Sequence, residues 1–107
     1  MVLDKFKAIY KILRELERNM GNEDFDLYLI SAERLKLPYV QWEQLMILLA
    51  DSGYITGIIA SKSLHDKFRH ILEPIQPSIT MRGLEYLENN SFMAKAKDAL
   101  KMVGELI

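Results

Sequence analysis

The apolar residues between Asp4 and Met20 recur at intervals of three and four positions along the chain. This spacing puts them on one side of a helix, so it predicts an amphipathic helix that ends at Gly21. Polar and apolar residues then alternate from Asp24 to Leu29. Alternation with a period of two is typical of an extended chain, and it predicts a short β-strand there.

Two short helices are predicted next, on either side of Pro38. Ser31 can cap the first, over Ala32–Leu37, because its hydroxyl can accept a hydrogen bond from a free backbone N–H. The second runs over Tyr39–Ser52, and Gly53 is suited to end it. Its predicted buried side chains are Trp42, Leu45, Met46 and Leu49. Two helices joined by a tight turn form a helix-turn-helix pattern, which helical hairpins that never contact DNA also share.

A β-hairpin is predicted after this pair of helices. Residues Tyr54–Ala60 are rich in β-branched and aromatic types, which favours a strand, with Gly57 as a candidate bulge. The polar run Ser61–Lys67 has the composition of a turn. Phe68–Ile75 can return as the second strand, and the prolines at its end cannot donate to a sheet.

Two more helices complete the predicted order. Thr80 can cap a helix over Met81–Glu88, and the pair Asn89-Asn90 is expected to break it before a last amphipathic helix over Phe92–Leu106. The order helix, strand, helix, helix, hairpin, helix, helix predicts an α+β fold. Its specific form is a mainly helical winged helix-turn-helix with a β-hairpin wing and additional C-terminal helices.

Composition narrows the class of protein. The chain has 107 residues, of which 50% are hydrophobic and 27% are charged, and this suits one hydrophobic core. Residues 1–107 are therefore interpreted as a single winged-helix domain. The absence of cysteine excludes disulfides and thiolate metal sites, and it fits a reducing compartment. Charges interrupt the apolar residues from Asp4 onward, so neither a signal peptide nor a membrane span is expected, and the expected location is the cytoplasm.

Two segments carry a resemblance to a known family. They are Ser52–Gly57, with the sequence SGYITG, and Ile79–Asn89, with the sequence ITMRGLEYLEN, which lie on either side of the predicted wing. In these segments the chain resembles the YjcQ-like winged-helix proteins of Gram-positive bacteria and their prophages, and the resemblance spans nearly the whole chain. It implies a winged-helix fold in a phage or prophage setting. It implies no ligand and no catalytic residue.

The turn of the predicted wing carries basic candidate binding residues. They are Lys62, His65, Lys67 and Arg69, followed by His70, and Asp66 is the only acid among them. Such a cluster can lie along the phosphate backbone of double-stranded DNA, and Arg34 on the preceding helix adds positive charge. A charged surface turn without a ligand has the same composition, so both interpretations stay open.

The helix over Tyr39–Ser52 would be the one that enters a DNA groove. For hydrogen bonds to base edges it offers only Gln41 and Gln44. Its charged residues are Glu43 and Asp51, and two negative charges that face phosphates count against direct readout.

A protein partner is the alternative to DNA. The face of this helix opposite its predicted buried side chains carries Tyr39, Val40 and Ile47 together with both acids, and such a mixed surface suits a protein contact. Ile47 can instead pack under the wing. The basic residues of the first helix are expected to pair with acids on the same helix, namely Asp4, Glu15 and Glu17. The last predicted helix can pack on the first or form a homodimer with a second chain.

The sequence contains no recognisable constellation for catalysis or metal binding. His65 and His70 lack a set of metal ligands around them. Ser63, His65 and Asp66 lie too close together in one turn to converge as a catalytic triad. We therefore expect that the protein is not an enzyme and that it binds neither a cofactor nor a metal ion. The leading hypothesis is a winged-helix DNA-binding protein, a phage or prophage transcriptional regulator, and the alternative is a winged-helix protein-protein interaction module without DNA binding.

Overall fold

The computed structural model describes residues 2–90 of the chain. Its helices are α1 (Val2–Arg18), a 3-10 helix (Leu27–Ile30), α2 (Ala32–Leu35), α3 (Tyr39–Asp51) and α4, which occupies residues 81–90. Its strands are β1 (Ile55–Thr56), β2 (Ile59–Ser61), β3 (His70–Leu72) and β4 (Ser78–Ile79). The last predicted helix, Phe92–Leu106, and the homodimer contact expected from it lie outside the described residues.

The predicted strand over Asp24–Leu29 is wrong. The side chain of Asp26 accepts a hydrogen bond from the N–H of Tyr28 at 3.0 Å, and this bond caps the 3-10 helix Leu27–Ile30 in place of a strand. The side chain of Asn22 accepts a hydrogen bond from the backbone two residues later in the same way. The alternation of polar and apolar residues therefore comes from two successive turns, because short polar side chains compete with a sheet for backbone N–H groups.

The predicted pair of helices is present, with a shorter first helix. Ser31 caps α2 as expected, since its Oγ accepts a hydrogen bond from the N–H of Arg34 at 3.1 Å. α2 ends at Leu35, ahead of the predicted end, because Lys36 adopts a left-handed conformation with a φ of 58°. α3 begins directly after Pro38 and ends close to the predicted residue.

The four strands form two antiparallel pairs along one long hairpin. β1 pairs with β4, with Ile55 opposite Ile79. β2 pairs with β3, with Ala60 opposite Ile71. The chain thus leaves α3, runs out through β1 and β2, and returns through β3 and β4 to α4.

The strands are shorter than predicted. Tyr54–Ala60 is divided into β1 and β2 at Gly57, whose φ of 85° suits glycine and strains other residues. The carbonyl of Gly57 accepts a hydrogen bond from the N–H of Gln76 at 3.2 Å, across the break. The predicted strand Phe68–Ile75 is reduced to β3, since Pro74 has no N–H to continue the pairing. β4 was not predicted from the sequence.

α4 continues through its predicted break. Thr80 caps it as expected, because its Oγ1 accepts a hydrogen bond from the N–H of Gly83 at 3.1 Å. Both asparagines of the predicted break are helical. Nδ2 of Asn90 donates to the carbonyl of Tyr86 at 2.8 Å, one turn back along the helix. The expected break at these residues is therefore wrong.

A hydrophobic core joins the helices to the base of the hairpin. Its fully buried side chains include Ile12, Leu13, Ile30, Met46 and Ile55. Nε1 of Trp42 donates to the carbonyl of Ile30 at 2.7 Å, which ties α3 to the 3-10 helix. Burial of an aliphatic side chain of this size stabilises the fold by about 1.5–3 kcal/mol. The described residues thus form a compact α+β domain with the hairpin packed beside α3.

Candidate nucleic-acid interface

Glu43, the first acid of α3, is turned into the protein. Its side chain is only 4% exposed. One carboxylate oxygen lies 2.9 Å from Nδ1 of His70, and the other accepts a hydrogen bond from the N–H of Ile71 at 3.0 Å. The hydrogen bond to Glu43, together with its charge, raises the pKa of His70 above the usual histidine range. The prediction that Glu43 lies on the exposed face of α3 is therefore wrong, because this carboxylate holds β3 against the helix.

Asp51, the second acid of α3, is exposed but paired with Arg69. Both terminal nitrogens of the Arg69 guanidinium bind the carboxylate. The hydrogen bond of this pair, with its opposite charges, lowers the pKa of Asp51 and raises the pKa of Arg69. Nε2 of Gln44 donates to the carbonyl of Arg69 at 2.8 Å. Arg69 and Gln44, both predicted to contact DNA, thus have partners within the protein that fasten the start of β3 to α3.

Ile47, predicted as part of a protein-contact patch, is buried. Its side chain is 4% exposed, and it lies one helical turn after Glu43, on the same side of α3. That side faces the hairpin, since Glu43 binds the backbone of β3. Ile47 is therefore not available for a surface contact, and the predicted patch retains only Tyr39 and Val40 at the surface.

Within the described residues, the solvent face of α3 carries no free carboxylate. Its exposed side chains include Tyr39, Val40, Gln41 and Leu48, of which Val40 is 65% and Leu48 is 57% exposed. Oε1 of Gln41 accepts a hydrogen bond from Nζ of Lys5 at 2.6 Å. This face therefore presents apolar groups and an amide, with an ammonium group at its edge.

The tip of the hairpin presents basic side chains to solvent. The predicted basic residues that are exposed are Lys62, His65 and Lys67 at the tip and Arg34 on α2. Asp66, the acid of the tip, accepts hydrogen bonds from the hydroxyl of Ser63 at 2.7 Å and from its N–H at 3.2 Å. These bonds lower the pKa of Asp66, so its carboxylate stays ionised and offsets part of the positive charge. The two lysines outnumber it.

A second basic group, not predicted from the sequence, lies between α1 and the turn that joins α2 to α3. We call it the four-lysine groove, after its lining lysines Lys5, Lys7, Lys11 and Lys36. The groove has a volume of about 390 Å³, and its other lining residues are Ala8, Leu35, Leu37, Pro38 and Gln41. None of the lining residues whose side chains are described is acidic.

Glu15 and Glu17, the acids of α1 with described side chains, pair with its arginines instead of with these lysines. The predicted pairing of Asp4 lies outside the described side chains. Arg14 contacts Glu17 at 3.1 Å, and Arg18 contacts Glu15 at 3.6 Å. The predicted pairing along the first helix is thus confirmed for the arginines. Spacing along one helix could not reveal the groove, because Lys36 joins it only when the turn after α2 packs against α1.

Among the described residues, no group of three or more histidine or acidic side chains is placed to hold a metal ion. His70 lies against Glu43, whereas His65 is at the exposed tip. No described helix is long and apolar enough to cross a membrane.

The fold and this surface define a small α+β domain in which the solvent face of α3 is flanked by a β-hairpin and a basic groove. A family model described as YjcQ protein matches residues 10–106. The chain belongs to the YjcQ family, as the resemblance in its sequence implied. No curated protein and no solved structure matches the chain.

Proposed function

We propose that this chain is a winged-helix protein that binds double-stranded DNA and catalyses no reaction. α3 is the helix that enters the major groove, and the β2–β3 hairpin is the wing. The observation that carries the proposal is that residues of the hairpin bind both carboxylates of α3. Glu43 is buried against β3, and Asp51 is paired with Arg69. α3 therefore meets the phosphates without the repulsion that two free acids would impose.

The exposed face of α3 supplies groups suited to the major groove. The amide nitrogen of Gln41 can donate to a base edge, although its Oε1 already accepts from Lys5, and the apolar side chains of Val40 and Leu48 can contact thymine methyl groups. Gln44 has a smaller role in this proposal, because its amide nitrogen already donates to Arg69.

The phosphate contacts in this proposal come from Lys62, His65, Lys67 and Arg34, which are exposed. Such contacts fix the position of a protein on the duplex and carry no sequence information. Arg69 makes no phosphate contact in this proposal, since its guanidinium is paired with Asp51. Sequence-specific binding of this kind would make the chain a transcriptional regulator, and a phage or prophage regulator is the specific form that the family resemblance suggests.

The test titrates a fluorescent random-sequence duplex with the protein at low and at moderate salt and follows its anisotropy. Wild type is compared with Lys62→Ala/Lys67→Ala and with the control Arg14→Ala/Arg18→Ala, which removes the same number of positive charges from ion pairs on α1. We expect salt-sensitive binding, with a log–log salt slope reduced by about 0.9 for each lost phosphate contact in the wing variant only. Failure of the wild type to bind at low salt would overturn the proposal.

A protein partner is the second candidate, and the exposed apolar side chains of α3 favour it. Tyr39, Val40 and Leu48 are each more than half exposed. Leu48→Lys separates the two candidates. On DNA, the added charge raises the affinity for a random duplex, whereas a protein-binding module binds no duplex with or without the substitution.

A further inference from the structure

The four-lysine groove is a charged surface that the contacts proposed so far do not use. Lys5, Lys7, Lys11 and Lys36 line one space of about 390 Å³. Among the side chains that the structure describes, no carboxylate lines it. Four basic residues around one groove make it a candidate site for negatively charged groups.

Two contacts connect this groove to the exposed face of α3. Nζ of Lys5 donates to Oε1 of Gln41, the residue proposed to read a base edge. Pro38, the residue before the first turn of α3, also lines the groove. An anionic chain that occupies the groove can therefore continue onto the solvent face of α3 without a gap.

The character of the groove favours a phosphodiester backbone over a small phosphate compound. Lys7, Lys11 and Lys36 are exposed, so an anion between them stays in contact with water. Sites for a discrete phosphate typically enclose it with the backbone N–H groups of a glycine-rich loop, and no glycine is among the described residues that line this groove. Lysine side chains act as flexible point charges, which suits a backbone that is followed without being read.

We propose that the four-lysine groove binds backbone phosphates of the same duplex that α3 enters. This inference rests on the proposed function and extends it, because the DNA surface then runs from the wing across α3 to α1. The wing fixes the duplex on one side of α3, and the groove fixes it at the N-terminal end of that helix. Neither set of contacts reads bases, so the groove contributes affinity and orientation.

The experiment compares Lys7→Gln/Lys11→Gln with Arg14→Gln/Arg18→Gln. Both variants neutralise two positive charges on α1, and glutamine keeps a good helix propensity. The arginines serve as the matched control because they are already paired with Glu17 and Glu15. Duplex binding is measured against salt by anisotropy, binding of inorganic tripolyphosphate is measured by calorimetry, and thermal unfolding by circular dichroism verifies that each variant is folded.

We expect the lysine variant to lower the log–log salt slope by about 1.8, which is twice the value for one phosphate, and the arginine variant to leave it near the wild-type value. Equal losses in both variants would mean that only net charge matters, and an unchanged slope in the lysine variant would mean that the groove is not used. Either result overturns the inference and leaves the proposed function in place. Tight binding of tripolyphosphate that the lysine variant loses, without a change in duplex binding, overturns it in favour of a small-anion site. A wild type that binds no duplex removes both proposals.

Discussion

At the scale of single residues, Glu43 changes the character of α3. In the sequence it is a negative charge on a helix expected to face phosphates. In the folded chain its carboxylate is buried and lies in hydrogen-bond contact with the hairpin at His70 and Ile71. A carboxylate that leaves water needs such partners, because burial of an unpaired charge costs several kcal/mol or more. The helix and the hairpin are therefore joined through this side chain.

Replacement of Glu43 by glutamine tests this link. The amide keeps the size of the side chain but loses the charge and one of the two acceptor oxygens, so we expect the free energy of unfolding to fall by about 1–3 kcal/mol. Urea denaturation followed by circular dichroism measures it. Glu33→Gln, at an exposed position on α2, serves as the control. Equal stability of the two variants would show that the link contributes nothing.

The raised pKa of His70 predicts a pH dependence of stability. Because the folded state binds this proton more tightly than the unfolded state, the contribution of His70 is complete below its unfolded pKa of about 6.5. It is lost as the pH rises through the folded-state pKa. We therefore expect wild type to lose stability relative to His70→Gln as the pH rises above about 6.5 and through the folded-state pKa of His70. If the stabilities of the two proteins change with pH in parallel, this expectation is wrong. His65→Gln, at the hairpin tip, is the control.

The sequence identified the basic residues of the hairpin tip and of α2, but it identified neither the partners of Arg69 and Gln44 nor the lysines of the groove. Lys62, Lys67 and Arg34 are exposed as a polar turn and a short helix predict. Arg69 lies in the same stretch of sequence as the tip lysines, and its pairing with Asp51 depends on how the hairpin folds back over α3. Contacts between elements far apart in the chain leave no periodic signal, so such residues cannot be separated by pattern alone.

At the scale of elements, the helices were predicted well and the strands poorly. A helix of several turns repeats its apolar face several times, as α1 and α3 do, and the pattern is then clear. The strands have only two or three residues each, too few for an alternation to stand out. Asp24–Leu29 does alternate, yet its polar side chains close turns, so the same pattern came from a different structure.

Gly83 permits the close packing of α4 on the strands. A Cβ atom at this position would lie 2.5 Å from the carbonyl oxygen of Tyr54 and 2.6 Å from Cγ1 of Ile79. Helix propensity alone predicts that Gly83→Ala stabilises the protein by up to about 1 kcal/mol. We expect the opposite sign, a loss of about 1–3 kcal/mol, because a backbone carbonyl cannot move aside as a flexible side chain can. Thermal unfolding measures this change in stability, and Glu85→Ala, at an exposed position of the same helix, is the control. If both variants stabilise the protein, the packing argument is wrong.

At the scale of the whole molecule, the net charge does not describe how charge is distributed over the surface. The chain carries a net charge of −1, which by itself argues against a ligand with many phosphates. Its acids, however, are not spread evenly. Those of α3 are bound by the hairpin, and Glu15 and Glu17 of α1 pair with arginines. The lysines of the groove and of the hairpin tip remain at the surface on either side of one helix face.

The pair Asp51–Arg69 allows this distribution to be tested without a change in fold, because exposed ion pairs contribute little to stability. Asp51→Asn frees the Arg69 guanidinium beside the proposed DNA face, so we expect a higher affinity for a random duplex and a salt slope steeper by about 0.9. Arg69→Gln leaves the Asp51 carboxylate unpaired there, so the affinity should fall. The double variant keeps the net charge of −1 and should bind like the wild type.

Anisotropy titrations give the duplex affinities of all three variants. If α3 and the start of β3 face the phosphates, the two single variants change the duplex affinity in opposite directions and the double variant cancels the change. A surface that binds a protein instead predicts no change in duplex binding from any of the three variants.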